Sequence, residues 1–235
     1  MTTPAVEAVH PDDLVEHPIA SAAALLKPRM RGWLHAYAAV ISLITGATLV
    51  TVASIARGAS VGVATLLYSL TVTALFSTSA SYHRITWAPR GRAVMKRLDH
   101  SMIFVFIAGT YTALAVLAMP RPQAQIVLAV VWLGALGGVV LKVAWPHAPS
   151  WVGVPCYVGL GWVAVFVLPQ LLEHGGVAAF VLLVVGGALY TVGGVVYATH
   201  WPDPSPRTFG YHEVFHLCTI LAAVCHYLAI WFALF

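Results

Sequence analysis

Charge is the scarcest commodity in this sequence: 12 Lys and Arg and 8 Asp and Glu make up only 9% of 235 residues, while 60% are hydrophobic. Soluble domains carry about a quarter charged residues, so a water-soluble fold is excluded for want of a polar surface. Cysteine is nearly as rare. Cys156, Cys218 and Cys225 lie in or beside apolar segments, which excludes a disulfide framework. Cys218 and Cys225, on one helix, are separated by a rise of about 10 Å and cannot bridge; all three read as small buried hydrophobes. Internal repeats, low-complexity tracts and heptad arrays are absent, and the N-terminal stretch lacks the basic start and apolar core of a signal peptide.

What is present is a set of long apolar runs, at 33–56, 61–83, 98–118, 124–144, 151–172, 177–199 and 213–234. A run of about 18 apolar residues crosses a bilayer, and in lipid each must be helical because unpaired backbone groups are too costly. The expectation is an all-α integral membrane protein, a seven-transmembrane helix bundle over 33–235, preceded by a polar tail over 1–32. Ten of the twelve Lys and Arg fall on one side of that topology, leaving Arg57 and Arg121 on the other. The positive-inside rule then puts the N-terminus in the cytoplasm and the C-terminus outside. The basic excess therefore needs no nucleic acid partner. "IASAAALLKPRMRGW" reads equally as a short helix in the headgroup layer or as a linker. Gly134 and Gly138 have the G-x-x-x-G spacing that permits close helix approach.

In so apolar a chain, ionisable groups at helix ends are informative, because a charge in lipid costs several kcal/mol and usually marks a site. "FGYHEVFHL" at 209–217 places His212 and His216 at i and i+4, on one helical face and about 6 Å apart along the axis. Both can turn toward one zinc ion, which prefers four ligands in a tetrahedron. His83 at the end of the second run is the third candidate ligand and water the fourth, the composition of a catalytic zinc site. His100 and His200 are the rival ligands. Ser79, one turn before His83, orients a ligand or water, or is simply a small helix-packing residue. Asp99 takes a proton from water, or else pairs with Lys96 or Arg97.

The H-E-x-x-H spacing is that of metalloproteases, but the rest of that pattern is missing. The positions that would carry Gly and the third His are Thr219 and Ala222, and no acidic residue follows Glu213. Glu213 is accordingly expected to be solvated at the cytoplasmic mouth. His35, which begins the first run, and His226, in the outer half of the last, read as packing residues.

The set Ser79-x-x-x-His83, "LDHSMIFVFIAGTYT" from Leu98 to Thr112, and "HEVFH" resembles the hemolysin III family of bacterial membrane proteins. That family is related to the progestin and adiponectin receptors and, more distantly, to the alkaline ceramidases. The resemblance runs from "KPRMRGWLH" at 27–35 to the C-terminus. It implies a multi-pass protein of the bacterial plasma (inner) membrane with zinc near the cytoplasmic face, held by His83, His212 and His216, and with Asp99 and Ser79 around the bound water. It also implies membrane lipids as partners. Three functions follow as expectations: a zinc-dependent, ceramidase-like hydrolase of a lipid amide or ester, a non-enzymatic lipid sensor with structural zinc, and a channel-forming cytolysin. Sparse polar residues in runs one, four, five and six weigh against a pore through one chain.

Overall fold

The computed structural model describes residues 28–145, 148–166 and 168–235. Most of the tail expected over 1–32, with His10 and His17, lies outside the described residues, as does His147. The described residues form seven α-helices and no strand: α1 Trp33–Arg57, α2 Ala59–Arg84, α3 Pro89–Ala118, α4 Arg121–Ala144, α5 Ser150–Trp162, α6 Leu168–Thr199 and α7 Tyr211–Leu234. Six are long and apolar enough to cross a membrane.

Helix ends follow the local chemistry. Gly58 alone joins α1 to α2, at φ 86° and ψ 179°, a conformation that a side chain disfavours. Pro89 and Pro122 occupy first-turn positions of α3 and α4, where a missing N–H costs nothing. α3 begins nine residues before the expected run, because Arg90, Arg92, Lys96 and Arg97 extend the helix beyond its apolar portion. Hydropathy registers only the part suited to lipid.

The fifth run is the main departure from expectation. In place of one helix over 151–172, α5 ends at Trp162, a 3-10 turn spans Val163–Phe166, and α6 begins at Leu168. Pro155 affects only the turn before it, and α5 runs on to Trp162; Pro169, the second residue of α6, has no N–H with which to continue a helix across the break. α6 is itself interrupted at Gly176 (φ 78°, ψ 169°), close to the expected start of the sixth run at 177. Tyr111 on α3 donates to the Gly161 carbonyl at 2.6 Å, satisfying an acceptor at the end of α5.

Packing is sequential from α1 to α4, with the largest interface between α6 and α7, and α7 closes the bundle against α1 and α3. Small residues set the crossings. A Cβ at Gly109 would stand 2.1 Å from Thr71 Oγ1, and one at Gly138 would stand 2.3 Å from the Phe104 ring. Gly134 faces Leu160, so the G-x-x-x-G pair serves contacts within the bundle. Outward-facing Ile41, Ile44, Val63, Ile126 and Leu133 are exposed, as expected of a surface solvated by acyl chains. Cys156 is exposed too, which corrects its reading as a buried hydrophobe; Cys218 and Cys225 are partly buried, and all three are free.

Candidate metal centre

The end of α2 presents Ser79 and His83 one turn apart, both buried. The chain preceding α1 crosses directly over them. This requires Gly32, whose φ is 80° and where a Cβ would stand 2.8 Å from His83 Cβ. The start of α7 presents His212 and His216 one turn apart. That start is fixed by two carboxylates, since Gly210 N donates to Glu213 Oε2 at 2.9 Å and Tyr211 N donates to Asp203 Oδ1 at 2.8 Å.

Three segments are tied together here. The backbone amides of Arg29 and Met30 donate to the carbonyls of Arg207 and Thr208, each at 3.1 Å. The Arg31 guanidinium forms an ion pair with Glu213. Glu213 is only 1% exposed, so its expected solvation is overturned: it points away from the two histidines' face, as a residue between i and i+4 must, and meets Arg31 instead of water.

The ligand-capable atoms of His83, His212 and His216 all lie within 4.8 Å of one another. His83 Nε2 and His212 Nε2 are 3.2 Å apart. Two nitrogens on a tetrahedral zinc, each at about 2.0–2.1 Å, would stand about 3.3 Å apart, so this pair fits the ion closely. The same separation suits an N–H···N hydrogen bond, which would hold the pair in the absence of metal. His216 Nδ1 is buried without a hydrogen-bond partner. Three imidazoles converging with no carboxylate among them make a donor set suited to zinc.

Asp99 Oδ2 stands 3.8 Å from His83 Nε2 and 3.9 Å from His100 Nδ1, and Ser79 lines the same cavity as Asp99. The carboxylate therefore faces the histidines, and among the described residues it pairs with neither Lys96 nor Arg97. His100 lies beside the cluster, with Nδ1 at 2.7 Å from the Lys96 carbonyl. His200 packs instead on the Tyr211 ring, with centroids 4.4 Å apart. His226, packed edge-on against Tyr190, sits farther along α7.

Ser79, Asp99, His212 and His216 line a cavity of about 220 Å³, which also meets Lys96, His100 and Lys142. A second cavity of about 110 Å³ adjoins it, with an almost wholly apolar lining that includes Phe106, Ile107, Leu114 and Leu183. Leu75, Ile103, Tyr157, Phe215 and Thr219 line both. The combined space is amphipathic, with a polar chamber at the histidines and an apolar one beyond.

Sequence reasoning passed over two of the residues here. His35 is buried, its ring stacked on that of His216 with centroids 3.8 Å apart and planes 10° apart. The signal was its stripe, for His35, Ala38, Ser42, Gly46, Leu49 and Ala53 recur at helical spacing and form the buried face of α1. Lys142, counted as a loop residue, likewise continues the buried face of Val131, Ala135 and Gly138.

Comparison with known proteins gives concordant results. The family described as "Haemolysin-III related" matches residues 23–227. Hemolysin-3 of Bacillus cereus is 31% identical over 163 residues, 69% of this chain and 74% of that protein. The Hemolysin-3 homolog of Bacillus subtilis (strain 168) is 30% identical over 131 residues, 56% of this chain and 61% of that protein. The monocyte to macrophage differentiation factor of Homo sapiens is 25% identical over 169 residues, 70% of this chain and 68% of that protein.

Proposed function

The chain belongs to the haemolysin-III-related family, and from that premise we propose that it is a zinc-dependent hydrolase of a lipid amide or ester, acting in membrane-lipid homeostasis. One observation carries the reading: three histidines cluster, and two of them, His212 and His216, line with Asp99 and Ser79 a polar chamber that adjoins an apolar one. Such a space accepts a carbonyl at its polar end and an acyl chain at the other.

In this reading His83, His212 and His216 hold zinc as neutral donors. The ion supplies Lewis acidity toward a carbonyl and toward water. Asp99 accepts the proton from the attacking water and returns it to the departing nitrogen or oxygen, so acid and amine or alcohol leave with the proton accounted for. Ser79, on the same cavity wall, offers its hydroxyl to orient the Asp99 carboxylate or the attacking water. His35 holds the His216 ring plane by stacking. The Arg31–Glu213 pair holds the first turn of α7, and with it His212, against the segment that covers His83.

The chamber lies at the helix ends rich in basic residues, at Arg84, Arg90, Arg92, Lys96 and Arg97. We assign that end, with the N-terminus, to the cytoplasm, and the C-terminus to the outside of a bacterial plasma membrane. A pore is disfavoured by the apolar lining of the second cavity, which offers a permeating ion few ligands.

The test is to incubate purified protein with ceramides and with phospholipids, with and without chelator, and to identify released fatty acid by mass spectrometry. Release that stops with chelator and returns with zinc is the expected result. Absence of zinc-dependent product from both lipid classes sinks the hydrolase and leaves a lipid-binding protein with structural zinc.

A further inference from the structure

The chamber that holds the histidines has a basic wall. Lys142 lies on the buried face of α4 and is 8% exposed, and its side chain runs beside α5, where a Cβ at Gly153 would stand 2.3 Å from Nζ. Lys96 and His100, one turn apart on α3, line the same chamber. Lys96 and Lys142 thus present charges of one sign to a single chamber. Asp99 is the one acidic residue in the described lining, and it faces His83 and His100. Among the described residues neither lysine has an ion-pair partner.

A lysine near a helix end ordinarily extends its ammonium toward the membrane surface. Lys142 stands two residues from the end of α4 and is turned inward instead, with Gly153 leaving room for it. Two lysines face one chamber whose single carboxylate, Asp99, is turned toward the histidines, and the buried Lys142 is costly unless something that enters the chamber supplies the charge. Lysine ammonium groups serve phosphate as point charges. A phosphate can take two cations at once, whereas a neutral amide or hydroxyl headgroup would leave both uncompensated. The adjoining apolar cavity says that this anion arrives attached to hydrocarbon.

We propose that the chamber selects a lipid bearing an anionic phosphate headgroup, with the phosphate against Lys96 and Lys142 and the acyl chain in the apolar cavity. This names the substrate class for the hydrolase reading and rests on that reading for turnover only; binding follows from the basic wall alone.

The experiment measures binding to the full chain, in neutral detergent, by intrinsic tryptophan fluorescence. Three probes are compared: dioctanoyl phosphatidic acid, the diacylglycerol with the same chains, and inorganic phosphate. Phosphatidic acid is expected to bind about tenfold or more tighter than the diacylglycerol. Lys142→Gln, Lys96→Gln and the double variant should erode that preference progressively. Gly153→Asp, which sets a carboxylate beside an intact Lys142, should also erode it, and it decides the matter if Lys142→Gln does not fold. Equal affinity for the two lipids in the wild type, or a preference that survives the double variant, overturns the proposal. Displacement of the lipid by inorganic phosphate at equal concentration overturns the lipid assignment in favour of a free anion. Folded His216→Ala should keep the headgroup preference and lose turnover, and binding and turnover read together on the wild type separate the two readings. Headgroup preference retained without turnover on any lipid sinks the hydrolase alone, and zinc-dependent turnover without preference sinks the phosphate headgroup alone.

Discussion

The two adjoining cavities are built from the same helices by opposite means. The polar chamber draws its wall from the ends of α2, α4 and α7, where the chain can turn and bring distant segments together, and from Lys96, Asp99 and His100 inside α3. The apolar cavity is walled by side chains within the spans, such as Phe106, Leu114, Leu171 and Leu183, and by the break between α5 and α6. The first is specified by pairings that are individually irreplaceable, such as His83 with His212 and Arg31 with Glu213. The second is specified by volume, and many apolar sequences of similar bulk would enclose it. Substitutions should therefore act all-or-none in the polar chamber and by degree in the apolar one.

The largest expected effect is at the metal. The wild type should carry about one zinc per chain by elemental mass spectrometry, and His83→Ala and His216→Ala, purified folded, should each lose it. His100→Ala should keep it. Zinc retained without His83 would separate α2 from the site and break the comparison at its root.

Next in size is Asp99→Asn, which should keep the metal and lower turnover by about 100-fold or more, the usual contribution of a positioned acid or base. Turnover and zinc content read on the same preparation distinguish a lost proton carrier from a lost ligand. Arg31→Ala should leave Glu213 buried without its partner and cost about 3–5 kcal/mol, seen as a fall in thermal midpoint. Arg31→Ala combined with Glu213→Gln should recover part of that loss, because no buried charge then remains unpaired.

The apolar cavity should respond more gently. Ala164→Leu fills its wall and should cost about 1–3 kcal/mol by overpacking. It should also shift preference toward shorter acyl chains, with zinc content unchanged. A change in zinc content would mean that the two cavities are mechanically one.

The legible parts of this architecture were those written locally. The seven helices follow from apolar run length, six of them long enough to cross a membrane, and the His212–His216 pair follows from helical spacing. α3 was read short because Arg90 to Arg97 are helical but not apolar, and the fifth run was read as one helix because hydropathy is blind to the 3-10 turn at Val163–Phe166. His35 was visible in principle as one member of a buried stripe, but a single histidine among small residues does not announce what it stacks on. The partner of Glu213 had no local signal at all, being 182 residues away in a segment that reads as tail.

By itself the sequence determined that the chain is a helical, multi-pass membrane protein and which histidines share a helical face, since hydrophobic transfer and helical periodicity act within about 20 residues. Only the tertiary structure decided that His83 meets His212 across 129 residues, that Arg31 neutralises Glu213, and that Lys142 turns inward beside Gly153. Those outcomes depend on which helix faces meet and at what height. That is set jointly by glycines, hydroxyls and ring edges at the crossings, a property of pairs of segments that no single segment carries.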